Sequence, residues 1–186
     1  LSCETDCVAK NKDFVNLARS FAEIALDKFP DSLEALLALD YEGITIGEKV
    51  TEQVGVIGEK IELAAYEKVE AAQVAPYIHM GNKAGVLVGL NKANGDYFEA
   101  GRDVAMQVAA MHPVAVDKDG VDQTTIEKEI EIGKEQARQE GKPEAMLERI
   151  AMGKLNKFYK ENTLLNQQFV KDNKKSVSDY LKSFDS

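Results

Sequence analysis

The chain has 186 residues, 44% of them hydrophobic and 30% charged, a composition typical of a globular protein with one domain or two small lobes. The formal net charge of −9, from 32 acidic and 23 basic residues, repels phosphate backbones and argues against direct binding to nucleic acid. The longest near-apolar run, residues 84–90, is too short to cross a bilayer and no N-terminal segment resembles a signal peptide, so we expect a cytoplasmic protein that binds no membrane.

Two helices are predicted at the start of the chain. Residues 11–29 carry apolar side chains at three- and four-residue spacing, which is typical of an amphipathic helix, and Pro30 would end it. A short second helix follows through the segment LEALLAL. Either Asp31 or Ser32 could cap this second helix, because both side chains accept hydrogen bonds from the first free amides.

A third helix is predicted from the capping box formed by Thr45 and Glu48. Four apolar residues share its expected buried face: Val50, Val54, Ile57 and Ile61. Beyond residue 61 the β-branched and aromatic content predicts strands over residues 61–80 and 83–94, separated by the segment GNK. Residues 96–113 again carry apolar side chains at helical spacing, which predicts another helix.

The chain contains an internal repeat. Residues 18–30 and 101–113 align without a gap, so that Arg19 falls on Arg102 and Pro30 falls on Pro113. A strand-like stretch and a polar loop precede each copy. We therefore predict two related α/β lobes, that is, an α+β fold with helices packed on small antiparallel sheets.

The last third of the chain predicts an antiparallel helical hairpin and a short final helix. Thr124 with Glu127 forms a capping box for the first arm, Gly141 would end it, and Pro143 would begin the second arm. The first arm has few apolar and many charged side chains, so we expect the hairpin to project. A further capping box, Ser176 with Asp179, predicts the final helix.

The sequence has little that indicates enzyme chemistry. It contains neither a phosphate-binding loop nor a dinucleotide-binding glycine motif. Cys3 and Cys7 form the only cysteine pair, and His79 and His112 lie far from it, so we expect reduced thiols, no metal site and no cofactor. The segment DKDGVD, residues 117–122, resembles half a calcium loop, but Asp122 stands at the sixth position in place of glycine and Lys128 at the twelfth in place of glutamate, so we expect a solvated turn. On these grounds alone the chain is an acidic binding protein without covalent chemistry of its own.

Five segments, in order along nearly the whole chain, closely resemble segments of the elongation factor Ts family. They are CETDCVAKN, VIGEKIEL, YIHMGNKAGVLVGL, DVAMQVAAMHP and the block from Glu140 to Val177. The family comprises guanine-nucleotide exchange factors of elongation factor Tu in bacterial translation elongation. The resemblance implies an exchange factor that acts on a GTPase, binds it in GDP-bound and nucleotide-free forms, promotes GDP release and so allows GTP to bind again.

The resemblance also implies a domain organisation. Residues 1–72 would form an N-terminal core subdomain, incomplete at its start. Residues 73–123 and 162–186 would form a related C-terminal core subdomain, with residues 124–161 inserted as the helical hairpin. The family's N-terminal helical module, its final strand and its C-terminal helix would lie outside this chain.

The family's signature T-D-F-V-A-K-N implies the first partner contact. Its aspartate and phenylalanine enter the nucleotide-binding domain of elongation factor Tu near the magnesium site. By position, Asp6 is that aspartate, Cys7 stands in place of the phenylalanine, and Val8 follows. We expect residues 3–7 to form a strand that delivers Asp6 to the partner, and we expect exchange to survive the loss of the aromatic ring in a weakened form.

Two further contacts follow from the resemblance. Ile57 and Gly58 match an I-G pair that packs on a helix of the same GTPase domain, although Gly58 could simply allow close helix packing. His79 matches a histidine that faces the other domains of the GTPase. A non-catalytic binding or scaffolding role is the competing hypothesis, and the projecting hairpin could offer a secondary contact or a homodimer surface.

Overall fold

The computed structural model describes residues 1–185 and contains eight α-helices and six short strands in that range. The helices are α1 (Asp6–Ala9), α2 (Lys12–Lys28), α3 (Leu33–Leu37), α4 (Ile46–Ile57), α5 (Gly95–Met111), α6 (Gln123–Gln139), α7 (Leu147–Asn162) and α8 (Val177–Lys182). The strands are β1 (Asp40–Tyr41), β2 (Ile44–Thr45), β3 (Gln73–Ile78), β4 (Gly85–Leu90), β5 (Gln168–Phe169) and β6 (Asp172–Ser176). They pair as three two-stranded sheets, β1–β2, β3–β4 and β5–β6, which confirms the predicted α+β class.

The chain divides into two compact units. The first comprises Leu1–Glu70 together with Ile78–Gly85, the tip of the β3–β4 hairpin. The second comprises Ala71–Tyr77 and the chain from Val86 onward. The finer three-part division, with residues 124–161 as a separate body, stays a prediction. No helix within residues 1–185 combines the length and the apolar character needed to span a membrane.

Helix α2 provides the main apolar face of the first unit. Asn11 caps it by accepting hydrogen bonds from the amides of Asp13 and Phe14, and Pro30 follows its end as predicted. Its buried side chains are those at helical spacing: Phe14, Leu17, Phe21 and Ala25. They pack with Leu36, Ile46, Val50 and Ile61 into one cluster, so the spacing in the sequence correctly predicted the core-facing side of the helix.

Short elements complete the first unit. Ser32, rather than Asp31, caps α3 by accepting from the amide of Ala35. The capping box of Thr45 and Glu48 at the start of α4 is confirmed. The predicted face of α4 was partly wrong, because α4 ends at Ile57 and the buried Ile61 lies beyond it, while Val54 is exposed.

The strand predicted from residue 61 onward was also partly wrong. Only Gln73–Ile78 forms regular strand there, and residues 63–70 have no regular secondary structure. Glu62 is the exception, because it makes an isolated antiparallel bridge with Ser2. Residue composition favours an extended backbone, but a strand also needs a neighbour to which its amides and carbonyls can bond.

The internal repeat is confirmed at the level of helix bounds. Adding 83 to the limits of α2, 12 and 28, gives the limits of α5, 95 and 111. Each helix ends in a residue with left-handed backbone conformation, Phe29 with φ 47° and His112 with φ 46°. A proline follows each of them, Pro30 and Pro113. Because two non-glycine residues adopt this uncommon conformation at matching positions, the likeness extends to backbone detail.

The two units also share the elements that follow. In each, a short hairpin leads directly into a capped helix, β1–β2 into α4 and β5–β6 into α8. The first residue of each helix is buried and donates its amide to the residue just before the hairpin, Ile46 to Leu39 and Val177 to Gln167. The capping box of Ser176 and Asp179 is confirmed. Helices α6 and α7 are inserted into the second copy only.

Helices α6 and α7 form the predicted hairpin, with corrected ends. Asp122, not Thr124, caps α6 by accepting from the amide of Thr125. Gly141 follows the end of α6 with φ 73°, as predicted, but α7 begins only at Leu147, after a 3₁₀ turn that starts behind Pro143. The expectations that the hairpin projects and offers a dimer surface stay predictions.

Candidate partner-binding site

All six predicted partner contacts lie in the first unit. They are Asp6, Cys7, Val8, Ile57, Gly58 and His79. They occupy three segments that are far apart in the sequence: the α1 turn, the end of α4 and the tip of the β3–β4 hairpin. The structure joins these segments by side-chain contacts that no sequence pattern indicated.

The α1 turn carries Asp6 at its first position. Thr5 caps the turn, because its hydroxyl oxygen accepts a hydrogen bond from the amide of Val8 at 3.4 Å. Asp6 and Cys7 are exposed, whereas Val8 is half-buried and packs against the core of the first unit. The expected strand at residues 3–7 was therefore wrong, since Asp6 begins a helical turn that Val8 fixes to the core.

Glu59 holds the backbone in front of this turn. Its Oε1 accepts hydrogen bonds from the amides of Glu4 and Thr5, at 3.0 and 3.1 Å, and its Oε2 accepts from the Thr5 hydroxyl at 2.9 Å. In return, the Glu4 carboxylate accepts from the amide of Lys60 at 3.1 Å. Burial disfavours the charged carboxylate, but the hydrogen bonds from Thr5 and Glu4 outweigh it and lower the pKa of Glu59.

The end of α4 brings Ile57 and Gly58 close to Glu59 in the sequence. Gly58 ends the helix in the left-handed region, with φ 80°, and donates its amide to the carbonyl of Val54 at 3.0 Å. A side chain on Gly58 would meet no heavy atom within 4 Å, so the glycine serves the backbone conformation and not close helix packing. Ile57 is half-buried against the core, and its neighbour Val56 is 71% exposed.

The hairpin tip presents His79 and Met80. The amide of His79 donates to the carbonyl of Ala84, and its carbonyl accepts from the amide of Asn82, at 2.9 and 3.1 Å. Gly81 and Asn82 both have positive φ, which allows the tight turn. The His79 side chain is exposed and Met80 is 86% exposed, so this turn displays a large apolar side chain next to the predicted contact.

The hairpin tip is tied to the α1 turn at both ends of that turn. Lys83 Nζ lies 3.0 Å from the Asp6 carboxylate, and Asn82 Nδ2 donates to the carbonyl of Ala9 at 3.1 Å. The hydrogen bond from Lys83 is the larger cause, and its positive charge the next, of a lowered pKa of Asp6. The carboxylate is therefore ionised at neutral pH, and it is also exposed. The structure thus brings Asp6 and the His79 turn together.

A groove of about 740 Å³ adjoins the α1 turn within the first unit. The N-terminal segment, α2 and the hairpin tip line it. Its charged side chains are Glu4, Asp6, Arg19 and Lys83, and its apolar ones include Val15, Ala18 and Ala22. Such a concave surface next to an exposed carboxylate can admit side chains of a protein partner. Within residues 1–185, no three His, Cys, Asp or Glu side chains are arranged to hold a metal ion.

Sequence reasoning missed Glu59, Lys83 and Asn82. Glu59 directly follows the I-G pair, and this position next to a predicted contact was the one sequence feature that pointed to it. Lys83 and Asn82 carried none, because their contacts with Asp6 and Ala9 depend on how the hairpin tip packs within the first unit. Both cysteines are free thiols, Cys3 half-buried and Cys7 exposed.

Comparison with known proteins identifies the family. The model of the family described as Elongation factor TS matches residues 4–186. The chain is 56% identical to Elongation factor Ts of Christiangramia forsetii over 185 residues, which are 100% of this chain and 67% of that protein. It is also 56% identical to that of Cytophaga hutchinsonii over 186 residues, 99% and 67% of the two chains. For Azoarcus sp. the identity is 50% over 184 residues, 98% and 61%.

The chain therefore spans roughly two thirds of the length of these relatives. The family match covers the α1 turn, the end of α4 and the hairpin tip, the three segments that the structure brings together. The chain belongs to the elongation factor Ts family.

Proposed function

We propose that this chain is a guanine-nucleotide exchange factor for elongation factor Tu, which promotes GDP release by disturbing the magnesium and phosphate site of the GTPase. The observation that carries this proposal is the Asp6 carboxylate, exposed, ionised and held at the start of a helical turn. A fixed carboxylate at the tip of a surface can compete for the ligand shell of a partner's Mg²⁺ ion.

The physical basis is differential binding. GDP is held by a phosphate-binding loop and by Mg²⁺ that bridges its oxygens. Suppose that an exchange protein binds the nucleotide-free GTPase more tightly than the GDP-bound form. It then lowers the affinity of the GTPase for GDP, and GDP lowers the affinity of the GTPase for the exchange protein by the same ratio. The complex therefore dissociates again when GTP enters. No covalent step by the factor is needed.

The remaining contacts divide the interface between two parts of the partner. Cys7 and Val8 would enter beside Asp6, and Ile57 with Gly58 would pack on a helix of the same nucleotide-binding domain. The exposed Val56 extends the apolar surface at that end of α4. His79 would meet the other domains of the GTPase, with the exposed Met80 beside it.

A non-catalytic binding or scaffolding role is the competing function. The observation that favours it is Cys7, which is exposed at the position where the family's signature has a phenylalanine. A small side chain there contributes less apolar contact than a ring, so the chain could bind the GTPase without opening its nucleotide site.

Substitution of Asp6 tests the proposed mechanism. We expect Asp6→Asn to lower the rate of stimulated GDP release on the order of tenfold, the scale of an interface hot spot, because the amide keeps the shape but lacks the charge. Asp27→Asn is the matched control, since Asp27 is an exposed aspartate at the far end of α2. Equal rates for the two variants would contradict a role for the Asp6 charge.

A further inference from the structure

The three hydrogen bonds accepted by Glu59 converge on the two residues in front of Asp6. Both backbone amides of Glu4 and Thr5 point at one oxygen of the Glu59 carboxylate, and the Thr5 hydroxyl points at the other. The other polar contacts of Thr5 lie within residues 3–9: its hydroxyl accepts from the amide of Val8, and its carbonyl accepts from the amide of Ala9 at 3.1 Å and from Cys3 Sγ at 3.5 Å. Glu59 is therefore the side chain that fixes the amides of residues 4 and 5 to the end of α4.

Glu59 acts on the turn through its cap. The Thr5 hydroxyl donates its proton to Glu59, which orients the oxygen lone pairs so that they can accept the amide of Val8. Because that bond caps the turn, the Glu59 carboxylate orders both the Thr5 backbone just before Asp6 and the Thr5–Val8 hydrogen bond that spans Asp6. The reciprocal bond from the Lys60 amide to Glu4 adds a second connection between the same two segments.

Glu59 also belongs to the other partner contact. It follows Gly58, whose left-handed conformation directs the chain away from α4. The segment from Ile57 to Lys60 thus contains the predicted Ile57–Gly58 contact. It also contains the Glu59 carboxylate and the Lys60 amide, which hold the residues in front of Asp6. Glu59 itself is half-buried and lies outside the apolar cluster of the first unit, so its contacts set the shape of the surface more than the packing of the core.

We propose that Glu59 is a positioning residue for nucleotide exchange: it locks the α1 turn onto the end of α4, so that Asp6 and the Ile57–Gly58 pair meet the GTPase as one preordered surface. This inference rests on the proposed exchange function. Without the lock, the turn would have to be ordered during binding, and the conformational entropy lost then would weaken association.

The test compares Glu59→Ala with Glu59→Gln in the full chain. Glutamine keeps a side-chain oxygen for the amides of Glu4 and Thr5, and its NH₂ group can donate to the Thr5 hydroxyl. Alanine removes both acceptor oxygens and with them all three hydrogen bonds. Glu62→Ala is the matched control, because Glu62 is a nearby exposed glutamate whose bonds to Ser2 use only its backbone and whose carboxylate pairs with Lys60.

Two measurements are made on each variant. The first is the concentration of factor that half-saturates stimulated GDP release from elongation factor Tu, together with the maximal rate. The second is hydrogen exchange of the Glu4 and Thr5 amides in the free factor. We expect Glu59→Ala to raise the half-saturating concentration about tenfold with a smaller change in maximal rate, and to lose protection at both amides. Glu59→Gln should stay within about threefold of the original chain.

The outcomes separate the two proposals. If the original chain stimulates release and Glu59→Ala matches it, or if glutamine is as damaging as alanine, the positioning role is wrong while the exchange function stands. If the original chain does not stimulate release at all, the exchange function is wrong and the positioning role falls with it. Rescue by glutamine, with normal behaviour of Glu62→Ala, supports the inference.

Discussion

The Lys83 ammonium group lies 3.0 Å from the Asp6 carboxylate, and both side chains remain well exposed, at 65% and 62%. The contact links the hairpin tip to the residue that is proposed to reach the magnesium site of the partner. An exposed ion pair is weak because water screens it, so Asp6 can leave Lys83 when a stronger cation is offered. Lys83 thus pairs with the ionised Asp6 in the free factor without trapping it.

The first prediction concerns the pKa of Asp6. Lys83→Met removes both the hydrogen bond and the charge that lower it, so we expect the pKa of Asp6 to rise toward its ordinary value of 3.8. Because the folded pKa is depressed, the pairing is present above pH 3.8 and is lost as the pH falls through the lower folded value. NMR titration of the Asp6 carboxyl carbon measures this. Lys28→Met, at the far end of α2, should leave the titration unchanged, and an unchanged titration in Lys83→Met would contradict the account.

The second prediction concerns the missing aromatic ring. Cys7→Phe adds an apolar side chain at an exposed tip position, and its burial in the interface would contribute on the order of 1–3 kcal/mol. We expect faster stimulated GDP release at subsaturating factor, by roughly tenfold. Cys7→Ser is the control, because serine removes the thiol while keeping a side chain of nearly the same size. If Cys7→Phe leaves the release rate unchanged, the absence of the aromatic ring does not weaken exchange in this protein.

The third prediction concerns a buried polar pair in the second unit. Gln107 Nε2 donates to Gln167 Oε1 at 3.2 Å and to the carbonyl of Gln168 at 3.0 Å, while its oxygen accepts from the amide of Val170 at 2.8 Å. Gln107 is completely buried. Gln107→Leu removes these three hydrogen bonds from the interior of the second unit, so we expect the free energy of unfolding to fall by about 2–4 kcal/mol. Urea denaturation measures it.

The control for that change is Gln139→Leu, because Gln139 is an exposed residue at the end of α6. Its substitution should change the free energy of unfolding by less than about 0.5 kcal/mol. Similar losses in the two variants would show that the buried network contributes no more than a surface glutamine.

The fourth prediction concerns close packing in the helical hairpin. A Cβ on Gly133 would lie 3.1 Å from Ala151 Cα and 3.2 Å from its Cβ, whereas a Cβ on Gly153 would meet nothing within 4 Å. Gly153→Ala should therefore stabilise α7 by up to about 1 kcal/mol through helix propensity. Gly133→Ala gains the same propensity but forces α6 and α7 apart. We expect it to be less stable than Gly153→Ala by at least about 1 kcal/mol in urea denaturation, and equal stabilities would contradict the tight crossing.

Local signals in the sequence predicted much of the fold. The capping boxes at Thr45 and Ser176 and the prolines that follow α2 and α5 act over a few residues, so they can be identified without knowing the fold. The internal repeat predicted that α2 and α5 would correspond, and their bounds agree at both ends. The predicted cap of α6, Thr124, lies two residues after the observed cap, Asp122. Both residue types are good caps, so the sequence pattern does not decide between them.

The site could be predicted only in part. The family signature indicated Asp6 and the I-G pair, but it did not show that residues 5–9 form a capped turn, because that depends on Glu59, a residue more than fifty positions away. Lys83 is likewise distant in the sequence, and a single lysine in a polar loop resembles any solvated charge. Contacts of this kind arise from tertiary structure, for which neither periodicity nor composition gives a signal.

The most direct test of the exchange function is multi-turnover release of a fluorescent GDP analogue from elongation factor Tu. The GTPase is loaded with the analogue, excess unlabelled GDP is added, and this chain is supplied in trace amounts. The account predicts that each molecule of the factor releases nucleotide from many molecules of GTPase, with a rate proportional to the amount of factor. Release limited to one equivalent per factor, or no acceleration at all, would contradict catalytic exchange, and stoichiometric binding without turnover would establish the scaffolding role instead.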